Sequence, residues 1–423
     1  MECPKGMRNG PCGGSTSEKC YIDETRPCIW YRIYRRAFRM GREHMLLEVL
    51  PPLDWDKVGT ETWADVVRQV RKFGTWKFFR SIFSKDKEYK KESWQTVFRP
   101  IRQPDWWDGD SEYHEPAYSE PVSLLERRLR AGEFVITAEV SPPAGADAGV
   151  LTRNIELLKN ITTAVNFTDG ASAKPYMSSA ACCSVAAKLG ADPVLQIAAR
   201  DKTRTGLQSD IIGANLLGIN NVLCITGDNA RIGPSPTSNT NILDMDAVQM
   251  LWIIRKMRDE RKYLDGREIK SPPRIFLGAA ASPFASEPAF QALREEKKVN
   301  AGAQFFQTNI IFDADGIDPW LEEIEKRGFM DRVYILAGVT PIRSLNMACY
   351  LNDKVPGVRV PDKIMKRLED SKPGDIQEVG IQITLEIIEK LKQKKGINGL
   401  HIMSVGWESV VPRLLEESGL IKK

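Results

Sequence analysis

Eight short apolar runs, separated by segments with helical spacing, fill residues 123–423 and restrict what that part of the chain can become. The runs are EFVITAEVS, TAVNFTDG, DPVLQIAAR, NNVLCITGD, RIFLGAAAS, AQFFQTNIIF, VYILAGVTP and LHIMSV. Each is short and apolar, and most end in Gly, Asp, Ser or Pro, as strands buried on both faces do. Between them, segments such as LTRNIELLKNI, SDIIGANLLG, AFQALREEKKVNA, IDPWLEEIEKRG, IRSLNMACYL and EVGIQITLEIIEKLKQKKG have the spacing of helices. Eight strands alternating with helices over about 300 residues predict an α/β fold, a (β/α)8 TIM barrel with modest insertions.

In such a barrel the functional groups sit where strands end, which directs attention to Glu139, Asp169, Asp228, Ser282, Asn309, Thr340 and Trp407. Glu139 lies inside the apolar run FVITAEVSPP. Desolvation there raises a carboxyl pKa and suits a general acid; the alternative is a carboxylate tied to backbone donors in the turn at Pro142 and Pro143. Asp228 ends VLCITGD, either pointing into the barrel mouth or capping the next helix, and Thr168 and Asp169 carry the same ambiguity. Gly278 to Ala281 are all small, which allows a flat ring or phosphate to approach the backbone, or tight helix packing. Thr308 and Asn309 are polar at the heart of a strand, and a buried amide requires partners. There is no G-x-G-x-x-G fingerprint after a strand and no P-loop. With only three histidines, a His-rich metal site or a Ser-His-Asp triad is disfavoured; His401 reads as a core histidine of the last strand.

The other end of the chain follows different rules. Cys3, Cys12, Cys20 and Cys28 stand among glycines, prolines and basic residues with no apolar period. A segment this short cannot close a hydrophobic core, and in a chain that reads as cytoplasmic four thiolates point to a metal or cluster rather than disulfides. The spacing C-x8-C-x7-C-x7-C is not the compact C-x-x-C of zinc ribbons, so tetrahedral zinc and a 4Fe-4S cubane both remain open. Cys182, Cys183, Cys224 and Cys349 lie in apolar surroundings and read as buried thiols.

Composition therefore divides the chain into a cysteine module at 1–40, a tryptophan-rich arm and linker at 41–122, and the barrel at 123–423. Seven of the ten tryptophans precede residue 108. Trp55, Trp63, Trp76, Trp94, Trp106 and Trp107 are expected to pack the arm, with a partner-binding face as the alternative. Gln103 to Pro121 has the composition of a linker. A net charge of +4 gives no argument for nucleic acid. No apolar stretch approaches the length of a membrane span, and no signal region follows the N-terminus.

With these residues laid out, the barrel resembles the methylenetetrahydrofolate reductase family over about 124–420. AEVSPP, NFTDGA, VLCITGD, KKVNAGAQFFQTNIIFD, ILAGVTPIRS and LHIMSVGWES occur in the family's order. Residues 1 to about 110, opening CPKGMRNGPCGGS and continuing CIWYRIYRR, resemble a cysteine-rich partner module of anaerobic reductases, here fused to the barrel. The resemblance implies a flavin, FAD or FMN, at the carboxyl end of the barrel, with a tetrahydrofolate-type substrate over it. Glu139 matches the general acid that opens the five-membered ring, and Asp228 the carboxylate beside flavin and pterin. Thr168 and Lys298 match flavin-contacting positions. Asp169, Gln196, Gly227 and Ala280 complete the expected cofactor site, and Gln307 and Asn309 the folate site.

Four departures stand out: Gln196 for a frequent histidine, Thr226 for a basic residue, Asn309 for a glutamine (with Gln307 two residues earlier), and Trp407 for an arginine. They leave the flavin type and its tightness of binding open, as well as the electron donor, which is ferredoxin, NADH or a partner subunit feeding the cysteine module. The alternative function is a methyltransferase-type folate barrel with a structural zinc arm and no flavin. The family is often oligomeric, so an oligomer is expected.

Overall fold

The computed structural model describes residues 3–53, 55, 62–98, 110–235, 243–355, 357–372 and 374–421. Its centre is a closed barrel of eight parallel strands in sequential order. These are β1 (Val135–Val140), β2 (Ala164–Phe167), β3 (Pro193–Ala198), β4 (Asn221–Ile225), β5 (Phe276–Ala281), β6 (Phe305–Ile310), β7 (Tyr334–Val339) and β8 (Ile397–Met403). All eight expected strands are present. Closure comes from β8 pairing with β1, Thr137 opposite His401 and Glu139 opposite Met403.

The amino-terminal end of the barrel is plugged. Helix Leu124–Arg130 starts at Ser123, whose Oγ accepts the Glu126 N–H at 3.0 Å. Leu125 and Leu129 from this helix pack on Val135, Val194, Phe276, Phe305 and Leu336 from the strands. Each such buried apolar side chain contributes about 1.5–3 kcal/mol. Buried Glu126 holds the entry to the helix, accepting from the Tyr118 hydroxyl (2.9 Å), Val122 N–H (2.8 Å) and Arg130 (2.6 Å). Above the plug, Gly278 makes room for the Phe305 ring: a Cβ there would lie 2.3 Å from it. With one end filled, a ligand has only the carboxyl end to enter.

Helices Gly149–Leu158, Arg204–Leu216, Pro288–Asn300, Asp318–Lys326, Leu345–Lys354 and Ile376–Lys392 follow the expected pattern. Ser179–Lys188 and Ala247–Arg255 are additional. Every residue of Ala247–Arg255 is buried, so no polar face marks it in the sequence. No described helix is long and apolar enough to cross a membrane.

Residues 1–50 and 110–423 form one compact unit and 51–109 a second. In the first, the cysteine-bearing loops run into helix Ile29–Arg39. Tyr31 and Tyr34 of that helix pack on Phe290 and Leu293 of helix Pro288–Asn300, and Gln291 Nε2 donates to the Tyr31 hydroxyl at 2.9 Å. The second unit contains helices Thr62–Phe73, Thr75–Phe83 and Lys87–Phe98, with Phe78 and Trp94 in ring contact at 6.2 Å. Trp63 and Trp76 are 72% and 82% exposed, not buried as expected. Trp106, Trp107 and the 103–109 portion of the linker lie outside the described residues. Cys182, Cys183 and Cys224 are buried as expected, whereas Cys349 is only half-buried.

Candidate active site

The carboxyl ends of the strands surround a cavity of about 360 Å³. The expected residues Glu139, Thr168, Asp169, Gln196, Gly227, Asp228, Ala280, Lys298, Gln307 and Asn309 all line it. They converge because strands of one parallel barrel end on the same side. Ser282 lines it too. Thr340 and Trp407 do not: the Thr340 hydroxyl donates to Met403 O at 2.6 Å, tying β7 to β8 beneath the mouth.

Glu139 has its carboxyl 16% exposed and 3.8 Å from His401 Nε2, outside direct hydrogen-bond reach. The same imidazole places Nδ1 3.0 Å from Thr137 Oγ1. Because the Thr137 hydroxyl donates to Leu400 O (3.3 Å) and accepts from Gln307 Nε2 (3.4 Å), it is positioned to accept from His401 as well. Nδ1 is thereby tied to Thr137, which leaves Nε2 on the side of Glu139. His401 is thus both a core residue and part of the cavity wall.

Several strand amides have hydrogen-bonding capacity to spare. Among the described residues, Gln307 Oε1 on the cavity wall has no hydrogen-bond partner, and neither do the two polar atoms of Asn166, which is in register with Glu139 but outside the cavity lining. The Gln196 side chain makes no hydrogen bond among the described residues and faces the cavity. Buried polar groups left unpaired each cost about 1–3 kcal/mol, so this floor is suited to an occupant that carries donors and acceptors on a flat edge.

Charge enters from the loops. Asp228 Oδ2 accepts the Ser172 N–H (2.9 Å), and Asp169 Oδ2 that of Ala198 (2.9 Å); burial pushes the Asp169 carboxyl up. Arg200 Nη1 donates to Asp228 O at 3.0 Å and Nη2 to Gly170 O at 3.3 Å, binding three loops together. Lys298 is buried and donates to Ala280 O. Burial pushes its ammonium down and the neighbouring Glu295 carboxyl up.

The N-terminal module supplies part of the wall, with Lys5, Asn9 and Tyr21 among the lining residues. Lys5 Nζ donates to Gly227 O. Asp246 fixes the segment behind it, its Oδ2 accepting the backbone N–H groups of Arg8 (3.1 Å) and Asn9 (3.0 Å). These contributors, together with Arg200 and His401, were not singled out from the sequence as site residues.

All four cysteines of the module border a second, small cavity of about 10 Å³, together with Lys5 and Ser15. Ser15 Oγ lies 3.2 Å from Cys12 Sγ. Burial pushes the Cys3 and Cys28 thiols up, and neighbouring thiols push in the same direction. Among the described residues, no three Cys, His, Asp or Glu side chains converge closely enough to hold a single metal ion. The four thiols nevertheless share one enclosure.

Comparison with known proteins accords with this architecture. Residues 124–419 match the family model described as methylenetetrahydrofolate reductase, and residues 1–56 one described as methylene-tetrahydrofolate reductase C terminal. The chain is 29% identical over 126 residues to methylenetetrahydrofolate reductase 1 of Schizosaccharomyces pombe, a match covering 29% of this chain and 20% of that protein. It is 26% identical over 129 residues to methylenetetrahydrofolate reductase 2 of Saccharomyces cerevisiae, covering 30% and 21%. The chain thus spans about a fifth of the length of these curated relatives. Among solved structures, a Clostridium thermocellum protein that binds two copies of 5-methyl-5,6,7,8-tetrahydrofolic acid aligns with a TM-score of 0.51 at 16% identity. That alignment covers 71% of this chain and all of the other, and it supports the fold.

Proposed function

Because this chain belongs to the methylenetetrahydrofolate reductase family, we propose that it reduces 5,10-methylenetetrahydrofolate to 5-methyltetrahydrofolate at the barrel mouth. The observation that carries the reading is that Glu139, Asp228 and all eight expected binding residues line one cavity. The Clostridium thermocellum neighbour, a methyltetrahydrofolate-binding protein of similar fold, is consistent with it.

Glu139 is the general acid in this proposal. Its proton passes to a nitrogen of the methylene bridge, the five-membered ring opens, and a cationic iminium carbon results. The carboxylate of Asp228 stabilises that cation electrostatically. His401 flanks Glu139 on the inner side of the cavity, 3.8 Å from its carboxyl. Gln307 and Asn309 bind the pterin.

The unpaired amides on the floor and the small residues of β5 fit the flat ring of a flavin as well as a pterin. Thr168, Asp169, Gln196, Gly227, Ala280 and Lys298 would hold the flavin. When bound and reduced, a flavin supplies the hydride that converts the iminium carbon to a methyl group.

Cys3, Cys12, Cys20 and Cys28 would hold the metal group of the module. Four thiols around one enclosure suit an iron–sulfur cluster, and the electron transfer that the reaction requires gives a cluster a use that zinc lacks. At about 10 Å³ their cavity must widen to take one, and the glycines at 6, 10, 13 and 14 give the loops freedom to do so. A one-electron donor such as ferredoxin is then the natural supplier of electrons to the module.

The test is anaerobic purification of the full chain, with an absorption spectrum, iron and zinc analysis, and methylenetetrahydrofolate reduction by a low-potential dye. Glu139→Gln should lower turnover by about 10²–10⁴-fold, the range for loss of a general acid. Unchanged turnover in that variant would refute the assignment. A colourless protein that still binds folate would replace the reductase by a folate carrier with a structural metal.

A further inference from the structure

The barrel-mouth cavity and the cysteine-lined cavity meet at one side chain, because Lys5 borders both. Lys5 is 8% exposed. Its ammonium donates to Gly227 O and, among the described residues, makes no ion pair. An ammonium has three donors. Those left over belong to a buried side chain, an expensive state unless an occupant of the adjoining cavities accepts them.

The residue after Gly227 is Asp228, whose Oδ2 is held by Ser172 N–H while its other oxygen accepts no hydrogen bond among the described residues. Gly227 takes φ +79°, and a Cβ there would press on Ala198 at 3.0 Å, so this turn is built for glycine. A cationic donor and an anionic acceptor therefore meet at one sharp turn of the cavity wall. The donor comes from the module, the acceptor from the barrel.

This pairing complements a recurrent piece of heterocyclic chemistry. Pterins and isoalloxazines are both fused pyrimidine systems with a ring N–H beside a carbonyl. We propose that Lys5 is a binding residue of the barrel-mouth site, donating to the carbonyl of that amide edge while Asp228 accepts the adjoining N–H. The site is then incomplete in the barrel alone, and the module takes part in holding the ring as well as in carrying metal. This rests on the reductase reading, and it adds to that reading a ligand contact from outside the barrel.

The experiment is isothermal titration of the full-length protein, stripped of bound flavin, with 5-methyltetrahydrofolate, FMN and FAD in separate runs. Lys5→Met should weaken binding of the ring it contacts by about ten- to hundredfold, the range for a hydrogen bond to a charged group. The run that changes identifies the ring as pterin or isoalloxazine. Lys5→Arg, which keeps the charge and the donors but not the shape of the ammonium, should retain more binding than Lys5→Met. Thermal melts of both variants check folding, and Lys5→Gln replaces Lys5→Met should the latter unfold. A folded Lys5→Met protein that binds all three ligands within twofold of wild type overturns the role of Lys5 and leaves the reductase reading intact. Wild-type protein that binds none of them overturns both.

Discussion

Asp246 is 1% exposed and serves two structures at once, which makes it the most informative side chain to change. Its Oδ1 accepts the Gln249 N–H at 3.1 Å, and Gln249 Oε1 accepts the Asp246 N–H at 2.8 Å, a capping box for helix Ala247–Arg255. Its Oδ2 accepts the backbone N–H groups of Arg8 and Asn9 from the module. Asp246→Asn keeps an oxygen for the cap but sets an NH2 group against those two donors. Each buried donor left unpaired costs about 1–3 kcal/mol, so docking of the module should weaken by about 2–6 kcal/mol. Asp246→Ala loses the cap as well, adding about 1 kcal/mol. The assay is limited tryptic cleavage after exposed Lys19, read beside urea unfolding followed by tryptophan fluorescence. Asp246→Asn should speed that cleavage with little change in barrel unfolding, and Asp246→Ala should also lower barrel stability. Wild-type cleavage rates in both variants would refute the idea that this carboxylate fastens the module.

Three other outcomes are expected. Gly278→Ala, whose Cβ would lie 2.3 Å from the Phe305 ring, should destabilise the barrel by about 1–3 kcal/mol in urea melts through overpacking. Asp192 has its carboxyl pushed up to about 6 by burial, although it accepts from Leu125 N–H and Asn221 Nδ2. The folded state therefore holds this proton more tightly than the unfolded chain, so its contribution to stability falls as pH rises from about 4 to 6 and is constant above. The total is about 3 kcal/mol. Wild type minus Asp192→Asn, compared between pH 4.5 and 7.5, should show that slope. Cys20→Ser should lower the metal content of purified protein by at least half, measured by plasma emission; full retention would remove Cys20 from the ligand set.

The barrel was legible because strands buried on both faces lose the alternation of polar and apolar residues and read as continuous apolar runs, as VLCI before Thr226 and IFLGAAA before Ser282 do. Most of the site followed from it, since polar residues at the ends of such runs face the mouth, as Asp228, Ser282 and Asn309 do, whereas Thr340 turns its hydroxyl to Met403 O. Helix Ala247–Arg255 was invisible for the opposite reason: surrounded on every side, it carries no 3.6-residue period. Lys5 and Asn9 gave no signal because their meaning lies in partners more than 220 residues away, Gly227 and Asp246. Tryptophan content alone misjudged Trp63 and Trp76, which are exposed on amphipathic helices.

The long reach between Arg8 and Asp246, 238 residues apart, has a consequence for biosynthesis. At about 5–20 residues per second, the cysteine segment leaves the ribosome on the order of 10–50 s before the carboxylate that fastens it has been made. During that interval its four thiols are unsheltered and free to take up metal or to be oxidised. A metal supplied during synthesis should therefore enter the segment more readily than one offered to the folded chain, where three of the four thiols are buried.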